Sequence, residues 1–208
     1  MLTYLLNAFS GPAGLFMYLL LGVAAFALAV TVDRVSQVLK FRVTGDAALA
    51  AALAGGPSGT TPIEAVLAAG VAESDPERAW DAMTAESIRA EQLIRRRIPY
   101  LSTVASLATM IGLFGTVYGL ILAFGSMGDV AAAERAARLS QGSSTAMAST
   151  AFGLLVAIPA LAAHAALDAW ARDQLAEIER AATRLQLRRS PPSRGGERGA
   201  GQGAVGLP

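Results

Sequence analysis

The sequence predicts an all-α integral membrane protein with three transmembrane helices and extended cytoplasmic helices. Three observations predict it. Only 16% of the 208 residues are charged, 53% are hydrophobic and the mean hydropathy is +0.45, whereas soluble domains carry about 25% charged residues. Residues 1–32, 98–128 and 139–167 contain no Asp, Glu, Lys or Arg. A helix crosses the ~30 Å hydrocarbon layer in about 20 residues, so each run spans once and none spans twice. Ala and Gly are abundant while aromatics make up 6%, a composition that lets membrane helices approach closely.

The elements follow from the charge map. Residues 1–12 form an outer N-terminal tail and residues 13–32 the first transmembrane helix. This run lacks a basic n-region and its apolar core is too long for a cleaved signal, so it reads as an anchor. Residues 33–97 form a cytoplasmic helical region. Within it Gly55-Gly56-Pro57-Ser58-Gly59 is a loop, and Thr61-Pro62-Ile63-Glu64 has the spacing of a capping box with Pro in the first turn. Ser74-Asp75-Pro76-Glu77 repeats that logic. From Pro76 a helix is expected to run straight into the second span, with a kink at Pro99. The second span lies within 98–128 (core Val104–Phe124), a short periplasmic loop covers 129–138, and the third span lies within 139–167 (core Ala146–Ala166). A cytoplasmic helix at 168–189 continues it. Its stripe of Ala171, Leu175, Ile178, Ala182 and Leu185 has heptad-like spacing and suits either packing on residues 44–97 or contact between subunits. Residues 190–208, rich in Gly and Pro, read as a disordered tail.

Lys and Arg placement sets the orientation. Residues 33–97 hold eight and 168–208 hold seven, against two in 129–138 and none in the N-terminal tail. The positive-inside rule puts the N-terminus outside and the C-terminus in the cytoplasm.

The second span presents Gly112, Gly115 and Gly119 on one face, and the third presents Gly142, Ala146, Ser149, Gly153, Ala157 and Ala160. Two such faces joined by a short loop imply a tight antiparallel pair. Pro159 removes one backbone bond and kinks the third span. Thr116 and Thr150 each lie three residues outward of the middle of their run, about 4.5 Å by helix rise, so they belong at one depth. Each hydroxyl either bonds its own i−4 carbonyl or joins Ser144, Thr145 and Ser149 in a polar track. Proton relays need ionisable groups at membrane depth; the spans have none, so any ion transport requires a carboxylate from a partner. His164 falls near the cytoplasmic interface. The absence of Cys and the single His exclude disulfides, thiolate chemistry and multi-His metal centres. No metal or cofactor is expected. The net charge of +1 and the lack of a basic cluster interleaved with aromatics argue against nucleic acid.

Two segments resemble the TolQ/ExbB/MotA family of ion-motive-force stator subunits. Ala105-Ser106-Leu107-Ala108-Thr109-Met110-Ile111-Gly112-Leu113-Phe114-Gly115-Thr116-Val117-Tyr118-Gly119 is similar to that family's second-span signature, GLxGTVxG. Thr150-Ala151-Phe152-Gly153-Leu154-Leu155-Val156-Ala157-Ile158-Pro159-Ala160 is similar to its third-span signature, TAxGLxxAIPA. Asp33-Arg34 is similar to the acidic-Arg pair that follows the first span. The resemblance implies a homo-pentamer in the bacterial inner membrane, its second and third spans lining a central pore. It implies a threaded dimer of a single-span ExbD/TolR-like protein that supplies the essential Asp and reaches the envelope or outer-membrane machinery. It also implies proton-motive-force-driven work on the envelope, with Thr116, Thr150, Thr145 and Ser149 as the ion pathway and Gly112, Gly115, Gly119, Gly153 and Pro159 as helix-packing or pentamer-interface residues. Thr145 stands where many ExbB and TolQ members carry Glu, and Thr109 where many carry Pro. The first departure suggests a branch other than iron-uptake ExbB, such as a gliding-motility motor. Three spans disfavour four-span MotA.

The function read here is therefore a pore-forming subunit and not an enzyme. A serine hydrolase would need Ser near His, and Ser143 and His164 are about 31 Å apart by rise on one helix. A small-solute transporter would show an inverted repeat or broken-helix pair. A passive scaffold differs only in passing no ions.

Overall fold

A computed structural model describes residues 14–40, 45–54, 60–125, 128 and 131–189. The N-terminal tail 1–12, the Gly55–Gly59 loop and the tail 190–208 lie outside the described residues. Among the described residues six helices follow in order: α1 Gly14–Lys40, α2 Gly45–Leu53, α3 Pro62–Ala72, α4 Pro76–Arg95, α5 Ile98–Gly125 and α6 Ala132–Arg189. Among the described residues there is no strand. Three stretches, Gly14–Val38, Pro76–Gly125 and Glu134–Arg189, are long and apolar enough to cross a membrane. Only 22%, 28% and 33% of their most apolar windows is buried within the chain. Apolar surface on that scale is left for lipid or other subunits to cover. The helices group into two compact units, Met1–Arg42 with Ile94–Asp173, and Val43–Leu93 with Gln174–Pro208.

The first unit is α1, α5 and the first part of α6. Met17 and Leu20 on α1 are fully buried, as are Leu101 and Ala108 on α5. Phe16 sets its ring edge-to-face against Phe114 (5.4 Å) and Tyr118 (5.3 Å), which fixes α1 against α5. Hydroxyls along α5 bond back into their own helix: Ser106 donates to the Ser102 carbonyl and Thr109 to that of Ala105.

The expected continuous helix from Pro76 into the second span is interrupted. α4 ends at Arg95, a turn occupies Arg96 and Arg97, and α5 begins at Ile98. The reason is Pro99. Its ring would collide with the carbonyl four residues back and it has no N–H, so it fits only in a first turn. The chain turns through Arg97 in the left-handed region (φ 66°), a conformation that helix ends usually give to Gly. The proline therefore starts a helix and does not kink one. A second difference falls in the segment read as a loop at 129–138, which is helical from Ala132 onward. Five alanines and the Arg138–Glu134 pair (2.8 Å, i,i+4) favour the helix there.

The second unit packs α2, α3 and most of α4 on the last part of α6. Leu49, Ile63, Val66, Leu67, Met83, Ile178, Ala182 and Leu185 form its buried core. The stripe on α6 from Ile178 to Leu185 thus serves packing against α2, α3 and α4. Thr61 accepts from the Glu64 backbone N–H (3.4 Å), and the Glu64 carboxylate accepts from that of Thr61 (3.3 Å), completing the capping box. At the other end of α3, Arg189 donates to the Gly70 and Glu73 carbonyls, a cation on the carbonyl end of a helix. Arg184 pairs with Asp46.

Thr61→Ala removes one half of the capping box and should cost about 1 kcal/mol. Backbone amides of α3 are then expected to exchange several-fold faster with deuterium, while Thr61→Ser stays close to wild type.

Candidate functional site

The site is built from the contact between α5 and α6, which run antiparallel. Each step along α5 is matched by a step back along α6, so Ala123 meets Gly142, Gly119 meets Ala146, Gly115 meets Ser149, and Gly112 meets Gly153. Backbone comes closest to backbone at the last pair. A Cβ on Gly153 would lie 2.7 Å from the Ala108 carbonyl oxygen and 3.0 Å from the Gly112 Cα. A Cβ on Gly112 would lie 3.1 Å from the Ser149 carbonyl oxygen and 3.2 Å from the Gly153 Cα. Backbone faces backbone, and only the missing side chains allow it. Gly112, Gly115, Gly119 and Gly153 are thus occupied by packing within one chain.

That separation brings Thr116 and Thr150 together. Their hydroxyls hydrogen-bond to each other across the helix pair. Thr116 Oγ1 is also 3.2 Å from its own i−4 carbonyl, Gly112, and 3.2 Å from the Ala146 carbonyl on α6. Thr150 Oγ1 lies 3.2 Å from the same Gly112 carbonyl. Both readings of the threonines meet here, because one helix's own carbonyl also serves the hydroxyl opposite. The two hydroxyls share two protons, and two carbonyls plus each other's oxygen can accept them. The cluster is satisfied internally, with lone pairs left over on both threonine oxygens. Both side chains are only partly buried.

The remaining predicted residues lie apart from this pair. Thr145 donates to the Gln141 carbonyl in its own helix (3.0 Å). Ser149 is fully buried, and its hydroxyl sits against Gly115 with no hydrogen-bond partner. Pro159 stands nine residues beyond Thr150, about 13.5 Å by rise, on an exposed stretch of α6. Between Ile98 and Gly125 α5 carries no Asp, Glu, Lys, Arg or His, and α6 carries none from Leu139 to Leu167 apart from His164.

Ionisable groups gather at one end of this unit. Asp33 receives Arg34 (3.2 Å) and Arg97 (3.2 Å), and Asp168 receives Arg95 (3.3 Å) and Arg172 (3.1 Å). Sequence reasoning missed these pairs, and it missed the Gly112 carbonyl as the shared acceptor. The available signals were the Asp33-Arg34 dipeptide and Asp168 as the first charge after the third run; a backbone carbonyl leaves no signal in residue type.

Residues 58–180 match the MotA/TolQ/ExbB proton channel family. Over 83 residues, 40% of this chain, the sequence is 39% identical to the Tol-Pal system protein TolQ of Haemophilus influenzae, covering 36% of that protein. It is 35% identical over 79 residues to the biopolymer transport protein exbB1 of Vibrio cholerae, covering 38% of this chain and 35% of the relative. It is 34% identical over 89 residues to the biopolymer transport protein ExbB of Aquifex aeolicus, covering 43% and 60% respectively. The chain therefore matches about a third of the TolQ relative's length.

Gly153→Ala forces a methyl against backbone that has no rotamer to yield, so α5 and α6 must separate. We expect destabilisation of about 1–3 kcal/mol, the usual cost of overpacking. Gly125→Ala, whose Cβ would meet nothing within 4 Å, should be neutral. Thermal aggregation in detergent, compared between the two variants, checks this.

Proposed function

Because the chain belongs to the MotA/TolQ/ExbB proton channel family, we propose that it is the channel-forming subunit of an inner-membrane, multi-pass stator complex that couples proton flow to work on the cell envelope. The observation that carries this reading is the Thr116–Thr150 hydroxyl pair, held between two spans that contain no carboxylate. Such a pair does not titrate; it solvates. A carboxyl group brought beside it by a single-span ExbD/TolR-like partner gains donors when ionised and acceptors when protonated. Hydrogen bonds to the ionised form ease its cost in low dielectric. The proton then travels on the partner's acid, and this chain supplies the polar surface on which it is loaded and released.

In this reading the chain has no enzymatic active site of its own and assembles as a homo-pentamer around a partner dimer. The glycine faces of α5 and α6 pack within each subunit, and the exposed apolar faces meet lipid and neighbouring copies. The N-terminus is periplasmic and the C-terminus cytoplasmic, a reading that Lys and Arg placement supports. The load is supported by the relatives' names, a Tol-Pal system and biopolymer transport; none of these relatives is named for gliding motility.

Thr116→Val and Thr150→Val keep shape and remove the donors. A hydrogen bond to a charged group contributes about 1.5–3 kcal/mol, so proton flux should fall roughly 10- to 100-fold in either variant. Thr150→Ser should retain most of it. The measurement is proton uptake by proteoliposomes holding the copurified complex, with the chain alone as the silent control. Normal flux in both valine variants defeats the reading.

A further inference from the structure

An open groove of about 380 Å³ runs between α1 and α6 in the first unit, lined by Ala24, Leu28 and Thr31 on one side and Phe152, Pro159 and Ala163 on the other. Its lining is apolar, and the Thr31 hydroxyl is occupied by the Ala27 carbonyl (2.8 Å). A smaller hollow lined by Arg34, Gln37, Leu167 and Trp170 continues the same seam. From Thr31 to Arg34 is about 4.5 Å by helix rise, and from Ala163 to Leu167 about 6 Å. The hollow is otherwise lined by Val38, Ile94 and Ile98, and the seam reaches its first charged residue, Arg34, within one turn of Thr31, where the first charges of α1 and the first charges after the third run occur.

The charges at that end do not balance. At Asp33 two guanidiniums, Arg34 and Arg97, share one carboxylate, and Arg172 shares Asp168 with a second guanidinium. Arg34 is only 5% exposed and its Nε has no acceptor, whereas Arg97 and Arg172 are 45% and 63% exposed and reachable from outside. A surplus of positive charge beside a low-dielectric layer calls for an anion at that depth. A spanning helix of a second copy cannot provide one, since the spans of this chain hold no Asp or Glu. An apolar slot ending in an arginine surplus, with a Trp at the boundary, matches an acyl chain joined to a phosphate.

We infer that this seam binds an anionic phospholipid, one acyl chain in the α1–α6 groove and the phosphate on the arginine cluster around Asp33 and Asp168. The lipid comes from the leaflet on the side of residues 33–97, which is the inner leaflet in the orientation proposed above. Bound there, its phosphate offsets part of the positive charge and its acyl chain fills the gap between α1 and α6.

The test reads lipid and not proton flux, so it stands or falls apart from the channel reading. The full chain, copurified with its partner, is reconstituted into nanodiscs of equimolar phosphatidylglycerol and phosphatidylcholine, re-extracted, and its retained lipid counted by native mass spectrometry. Wild type should retain phosphatidylglycerol at least fivefold over phosphatidylcholine. The double variant Arg97→Gln, Arg172→Gln leaves each carboxylate one arginine and should bring that ratio near one. Ala163→Phe should fill the groove and lower retention of both lipids; Ala163→Leu, with helicity checked by circular dichroism, is the gentler substitute. Equal retention of the two lipids by wild type overturns the proposal. So does an Ala163→Phe protein that keeps its lipid while its oligomeric mass drops, since a neighbouring copy would then occupy the groove.

Discussion

Everything in the membrane unit depends on how near α5 and α6 come to each other at Gly112 and Gly153. With a methyl group at either position the Gly112 carbonyl could not be shared, and Thr150 would lose its reach to Gly112. In a bilayer the hydrophobic effect does not drive helices together, so contact has to come from shape and from hydrogen bonds. Here the two are the same feature. Small residues let the backbones meet, and the meeting supplies the acceptors that keep the hydroxyls satisfied. Ser149 shows the limit of the arrangement: the same closeness that serves the threonines leaves its buried hydroxyl on Gly115 without an acceptor.

The chain also sorts its charges. Carboxylates and guanidiniums are kept out of the spans and collected at their boundary, where Asp33 ties α1 to the turn before α5 and Asp168 ties α6 to the end of α4. Partly exposed pairs of this kind contribute little to stability one by one. Their value is positional, because a guanidinium on Asp33 fixes the depth of α1 relative to α5. Arg97 adopts its left-handed conformation in the turn that carries it to Asp33.

Much of this was legible in the sequence. Spans were readable because a bilayer penalises charge so strongly that its absence alone marks them. The pairing of Thr116 with Thr150 followed from measuring each from the middle of its run, an argument that works because two helices crossing one layer share a midplane. The stripe from Ala171 to Leu185 was readable by its period, although period alone did not say whether the same chain or another would cover it. Other features depend on what residue types do not record. The helix break at Arg96-Arg97 stands where the sequence suggests a continuous helix kinked at Pro99, because the proline acts on the turn preceding it. The helical start at Ala132 was hidden by the assumption that a short connection is all loop. Asp33–Arg97 and Asp168–Arg95 join residues 64 and 73 positions apart, and nothing short of the packed register brings them together.

The two protons of the threonine pair have more places to go than they can fill, so the pair has no single dipole. Either hydroxyl can swing between a carbonyl and its neighbour without any heavy atom moving, and the cluster's electric moment swings with it. A fixed carbonyl or amide favours one sign of charge at a given spot; a reorientable pair answers whichever sign arrives. Its effect is that of a small pocket of high permittivity sunk in hydrocarbon, where the surrounding medium has almost none. For the partner acid of the proposed function, such a pair would offer a donor when the acid is ionised and an acceptor when it is protonated, without a titratable atom of its own.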